Sequence, residues 1–163
     1  MERKWSKIKK TFEERIAIEL KSMISIHVTA YASGGRGWIQ FKGEEIVTTE
    51  APGFLYSIFG HRIYNNFMDG QTIELGRACG ELLNISPISA RISPNPYIRG
   101  LFALEKRCGR RTLETMREIE HDPFPILLMS LMAHSFGLTV KPYFHDACGR
   151  QILPEAWLTP LSA

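Results

Sequence analysis

Trp5, Ile8, Phe12, Ile16, Leu20 and Met23 recur at steps of three and four residues. That spacing lays one apolar stripe along a helix, with Lys7, Lys10, Glu14 and Lys21 on the opposite side. Such a stripe needs an apolar surface to cover it, and a sheet is the expected partner. The period then drops to two. In "ISIHVTAYA" the residues Ile24, Ile26, Val28 and Ala30 alternate with Ser25, His27, Thr29 and Tyr31. "WIQFK" and "EIVTT" continue the alternation, separated by glycine turns at Ser33–Gly37 and at Lys42-Gly43-Glu44. The pattern predicts a three-stranded antiparallel meander with one apolar face.

After residue 50 the spacing turns helical again. "APGFLYSIFGHRIYNNF" predicts a helix entered through Pro52 and left near Asn65 and Asn66. A second helix is capped by Thr72 and stopped at Ser86-Pro87, with Leu75, Cys79, Leu82 and Leu83 inward. "ISARISPNP" reads as a loop. Asn95 followed by Pro96 is an N-cap with a first-turn proline, opening a helix expected to reach about Ile119. Gly109 weakens that helix by about 1 kcal/mol relative to alanine. Asp122-Pro123 opens the last helix and Gly137 stops it; its near-continuous apolar character makes it the central one. "LTVKPYF" predicts a short strand, followed by a docked tail. The expected fold is α+β in a single domain, 1–163. Helix and meander occupy 1–50, the helical part 51–137, and the strand and tail 138–163.

Composition changes this picture little. Hydrophobic residues make up 44% and charged residues 23%, within the range of globular proteins. A net charge of +3 is too small to argue for nucleic acid by itself. Three scattered cysteines, Cys79, Cys108 and Cys148, do not form a disulfide framework and suit a reducing compartment. The longest apolar run, Pro125 to Met132, is far below the ~20 residues that span a bilayer. No apolar signal core follows the charged N-terminus. A soluble cytoplasmic protein is expected, with no membrane contact.

Charge does stand out locally, in "LFALEKRCGRRTLETMRE". On a continuous helix at ~100° per residue, Leu101, Phe102, Leu104, Glu105 and Cys108 fall on one side. Arg99, Lys106, Arg107, Arg110 and Arg111 share an arc of ~140° on the other, together with Ala103 and Glu114. Guanidinium forks suit carboxylates and phosphates. A first helix lying close by would extend this patch with Lys7 and Lys10. The plain alternative is a solvated face neutralised by Glu13, Glu14, Glu114 and Glu118.

No catalytic constellation accompanies it. His145-Asp146-Ala147-Cys148 lacks the second ligand pair that zinc requires, and a loop turn explains it. His134 reads as a hydrogen-bonded core residue. "SGGRG" lacks the lysine and the hydroxyl residue of a phosphate loop and leads into a strand. Neither a metal nor a cofactor is expected.

Four stretches, "KWSKIKK", "ISIHVTAY", "GRGWIQFKGEEI" and "LFALEKRCGRRTL", together resemble a family of small uncharacterised bacterial proteins. Members of that family open with a W-S-K-x-K-K helix. A strand with an H-V/L-T core and a G-R-A-W-I-T-V-D-G-K-E-like hairpin follow, and later an A-L-x-x-L-D-R-R-x-G-K-R-R-L-like helix. Glu105-Lys106 stands where the family has Asp-Arg, and Thr112 replaces an arginine, so the basic motif is thinner here. The resemblance implies a cytosolic, single-domain bacterial protein without carried-over catalytic residues. Through the association of such relatives with polymorphic toxin genes, it also implies an immunity-type inhibitor.

The residues themselves favour a non-enzymatic protein that docks on an acidic partner protein, with Arg99, Arg107, Arg110 and Arg111 supplying complementarity. A nuclease partner is disfavoured, because nuclease inhibitors mimic the charge of nucleic acid and this chain is basic. Nucleic-acid or nucleotide binding through the same patch is the alternative, and it predicts steep salt dependence.

Overall fold

A computed structural model describes residues 4–29, 36–49, 55–58, 61–64 and 75–138. The expected strand at 138–144, the docked tail and the His145–Cys148 loop lie essentially outside them, as does most of the Ser33–Gly37 turn. The fold is α+β: an N-terminal helix, an antiparallel sheet, then helices. Two compact units divide the chain. The first holds residues up to Glu14, the sheet and the helix that follows it; the second holds residues 15–22 and everything described after Asn84.

In the first unit, α1 (Trp5–Arg15) is followed by β1 (Ile24–Val28), β2 (Gly37–Phe41), β3 (Glu44–Thr49), β4 (Leu55–Ile58) and β5 (His61–Tyr64). They form one antiparallel sheet in chain order. The expected meander is its first three strands. Lys42 and Gly43 both take positive φ, 52° and 80°, as a two-residue primed hairpin turn demands. Ile24, Ile26, Ile39, Phe41 and Val47 are buried on one face. The β2–β3 register shifts between Ile39 and Gln40: Ile39 pairs with Val47 and Gln40 with Glu45. Ile46 is the extra residue of this bulge, and it too is buried.

The helix expected over residues 51–66 is corrected. Leu55–Ile58 and His61–Tyr64 are strands, with Ile58 pairing directly with His61. The short apolar run fits either period, and pairing with the open edge of β3 decides for strands. α2 (Leu75–Leu82) packs on the apolar face. It approaches β2 so closely that a Cβ on Gly37 would lie 2.9 Å from Leu75 Cβ.

The first helix is also shorter than its stripe. It ends at Arg15, because residues 15–17 pair with residues 104–106: Lys106 N donates to Arg15 O at 2.8 Å and Ala17 N to Leu104 O at 2.9 Å. Ile16 and Leu20 are buried, but in the second unit rather than on α1.

That second unit contains α3 (Pro87–Arg91), α4 (Pro96–Ala103), α5 (Gly109–Ile119) and α6 (Pro123–Ser135). The loop expected over residues 88–96 is corrected, because Ser86 both stops the preceding segment and caps α3, accepting from Ser89 N at 3.1 Å. Asn95 caps α4 as expected, accepting from Tyr97 N at 2.9 Å. α6 is buried over most of its length. It meets α4 where Gly100 leaves room: a Cβ there would lie 2.8 Å from the Phe124 ring. The Tyr97 ring packs edge-on against Phe124 at 4.7 Å. Gly137, at φ 75°, ends α6, and Leu138 N reaches back to Ala133 O at 2.8 Å.

Candidate docking surface

The single basic helix expected from Asn95 to Ile119 is corrected to two helices, α4 and α5, broken at residues 104–108. The break exists because residues 104–106 spend their backbone groups on residues 15–17. One arc of five cations therefore does not form, and each cation has its own surroundings.

Arg99 points inward. Its Nε and Nη2 each donate at 2.8 Å to Glu120, Nη2 donates to Asp122 at 2.6 Å, and Nη1 donates to Ser93 O at 2.7 Å. Burial alone would lower its pKa, but the two carboxylates outweigh that and hold the guanidinium above its ordinary value. Asp122 stands at the N-cap of α6, yet its side chain makes no cap bond and turns to Arg99 instead. This ion cluster lines a cavity of about 370 Å3 with Ile92, Met116 and Ile119.

Arg107 also serves the interior. Its Nε and Nη2 lie 2.8 and 2.7 Å from Oε2 of Glu105. The other carboxylate oxygen, Oε1, faces Arg15 Nη1 at 3.8 Å, too far for a hydrogen bond. The Glu105 side chain is fully enclosed. Burial pushes its pKa up, against the opposing pull of Arg107 and Arg15. Cys108 beside it is buried, and burial followed by the Glu105 charge pushes its thiol up to about 12. Such a thiol is not a nucleophile near neutral pH.

Lys106, Arg110 and Arg111 face solvent. Arg110 lies 3.8 Å from Glu114 with both side chains about half exposed, a contact of small energetic worth. Arg111 makes no ion pair among the described residues. Arg110 and Arg111 occupy the first turn of α5, where the macrodipole is positive and carboxylates are preferred. The N-cap residue, Cys108, offers no side-chain bond to that turn. Lys7 and Lys10 are exposed on α1, in the first unit.

One polar arrangement had no place among the sequence-based candidates. On the sheet face opposite the core, His27 stacks on Trp38 with ring centroids 5.2 Å apart, and the Arg36 guanidinium lies 4.7 Å from the Trp38 ring centre. Arg36 is held by Glu45 at 2.8 Å, which the bulge at Ile46 brings to this face. Lys9 Nζ donates to Ile26 O at 2.8 Å and sits 3.3 Å from His27 Nδ1. His27 Nε2 lies 3.0 Å from Ser25 Oγ. The signal lay in the alternation itself, which put Ser25, His27 and Thr29 on one face, but their partners on β2 and β3 depend on register.

Among the described residues no group of acidic, histidine and cysteine side chains could hold a metal ion. No helix among them is long and apolar enough to cross a membrane. No curated protein and no solved structure matches the chain. Residues 4–74, which include α1 and the whole sheet, are similar to the SF0329 protein family.

Proposed function

We propose that the protein is a non-enzymatic binding protein that docks on the acidic surface of a protein partner through Lys106, Arg110 and Arg111. The reading rests on the placement of Arg110 and Arg111, exposed in the first turn of α5 where they oppose the helix dipole. A position that costs helix stability needs a reason outside the helix, and an acidic partner supplies one. Arg99 and Arg107 support the surface from within by fixing α4, the break and the start of α6. A cytoplasmic, bacterial, immunity-type inhibitor is the specific form of this reading.

Quantitative affinity capture from extracts of the native host, with the wild-type chain and with R110E/R111E as baits, tests it. A protein retained by the wild type and lost with the double variant, in a salt-sensitive manner, is the expected result. Identical retention by both baits overturns the reading. A titration with short RNA and DNA at low and high salt covers the alternative: tight binding that falls steeply with salt would assign the patch to nucleic acid instead.

A further inference from the structure

The cavity beside Arg99 lies between two connections of the second unit, from α3 to α4 and from α5 to α6. Its volume, about 370 Å3, falls at the lower end of the roughly 300–1,000 Å3 typical of small-molecule pockets. Its walls carry unused polar capacity of both signs. Arg99 commits four of its five N–H groups to Glu120, Asp122 and Ser93 O, which leaves one on Nη1. Ser93 Oγ accepts from Asn95 N at 3.1 Å, and its hydroxyl proton has no acceptor among the described residues. Arg91, exposed at the rim, has no ion-pair partner among them. The free acceptor lies on Asp122: Oδ2 takes the bond from Arg99, while Oδ1 takes none and the side chain makes no cap bond to α6.

Ile92 and Ile119 line the same cavity, and each is 68% exposed. They are two of the four large aliphatic side chains that stand strongly exposed among the described residues. Covering them removes apolar surface from water, which favours a ligand with an apolar part. With His121 neutral, the ionised groups of the lining are Arg91, Arg99, Glu120 and Asp122, and their charges cancel. A net anion or a net cation would gain at one pair of groups and lose at the other. A zwitterion is matched at both.

We infer that this cavity binds a free α-amino acid with an aliphatic side chain. The carboxylate takes the Arg91 fork, the Ser93 hydroxyl and the remaining Nη1–H of Arg99. The ammonium donates to Oδ1 of Asp122, and the side chain covers Ile92 and Ile119. The site is preformed, because one guanidinium ties Ser93 of the first connection to Glu120 and Asp122 of the second. It is separate from the exposed arginines of α5 and goes beyond the docking reading.

Titration of the isotope-labelled chain with L-leucine, followed by amide-correlation NMR, reads affinity and place together. The amides of residues 91–93 and 119–122 are expected to shift, with a dissociation constant on the order of 1 mM. N-acetyl-L-leucine lacks the ammonium, L-leucinamide the carboxylate and glycine the side chain; each should bind about tenfold more weakly. R91A should weaken L-leucine about tenfold and leave the weak binding of L-leucinamide unchanged, a contrast that a general loss of structure would not produce. The spectrum itself reports whether the variant is folded. R110E/R111E should bind L-leucine as the wild type does, so a failure here and a failure of the docking reading are told apart. Absence of shifts at these amides with leucine, isoleucine, valine and methionine overturns the inference. So does equal binding of N-acetyl-L-leucine or of L-leucinamide, which would make this a site for a single charge. Tighter binding of a dipeptide ending in leucine would make the occupant a polypeptide terminus and overturns it as well.

Discussion

Arginines on the two sides of the break at residues 104–108 meet opposite environments. Before and within it, Arg99 and Arg107 are drawn into the protein by carboxylates that the chain supplies from elsewhere: Glu120 and Asp122 for one, Glu105 for the other. Just after it, Arg110 and Arg111 project into solvent at a helix end that repels them. The residue type is the same and the positions are close in sequence. The difference is whether an enclosed carboxylate lies within reach. A guanidinium so matched stabilises the unit because removing it strands a charge. An exposed one contributes little or works against its own helix.

The interior side of this contrast breaks most visibly at Arg99. R99A leaves Glu120, 6% exposed, and Asp122 without their shared cation. A loss of about 3–5 kcal/mol of unfolding free energy is expected, measured by urea denaturation near neutral pH. R99K keeps the charge but loses the fork that bonds both carboxylates and Ser93 O at once, so it should recover only part of the loss. A loss below 1 kcal/mol for R99A would place Arg99 with the solvated arginines.

Arg107 sharpens the same contrast through pH. R107A leaves the enclosed Glu105 with Arg15 alone, 3.8 Å away, and about 3 kcal/mol is the expected loss at neutral pH. Glu105 already titrates above its ordinary value in the folded chain, because burial outweighs the two arginines. A carboxyl whose folded pKa is raised contributes stability that is fully present below its unfolded value, near 4.3, and lost as pH rises through the folded one. The wild type should therefore lose stability relative to E105Q as pH rises from about 4 towards neutrality, and R107A should widen that difference. Parallel stability profiles for the wild type and E105Q would show that the carboxylate is fully compensated.

The same break governs Cys108. With the thiol at about 12, its thiolate fraction near neutral pH lies about a thousandfold below that of an ordinary cysteine. Thiol labelling followed by peptide mass mapping should find Cys108 protected until the unit unfolds. Rapid labelling in native buffer would mean that the break opens without global unfolding.

How far the sequence discloses this arrangement depends on the range of the interactions involved. The stripe of α1, the alternation of the first three strands, the Lys42-Gly43 turn and the caps at Asn95 and Gly137 are local, and each is readable over a few residues. Glu105 is legible in part, since the helical projection put it beside Leu101 and Leu104 on the apolar side. The break is not, because it is set by backbone bonds between residues 15–17 and 104–106, far apart in the chain. Nor is the fate of Arg99, whose carboxylates lie 21 and 23 residues further on. The β4–β5 hairpin was hidden for another reason: a short apolar run fits both periods, and the edge of β3 chooses between them.

On the solvent side, substitution should move stability in the opposite direction, by the smallest amount of all. Arg110 and Arg111 stand at the second and third positions of α5, close to the unpaired amide groups of its first turn. Replacing either with glutamate exchanges a repulsive interaction with the dipole for an attractive one. The gain should be about 0.3–1 kcal/mol for each, slightly less for Arg110, which gives up its 3.8 Å contact with Glu114. Thermal unfolding at low ionic strength should show R110E/R111E to be more stable than the wild type, and added salt should shrink the difference. A double variant that gains stability and loses binding separates the two roles, because the arginines are then kept at the expense of the fold. A double variant that loses stability would mean that these side chains support the fold, and the contrast across the break would disappear.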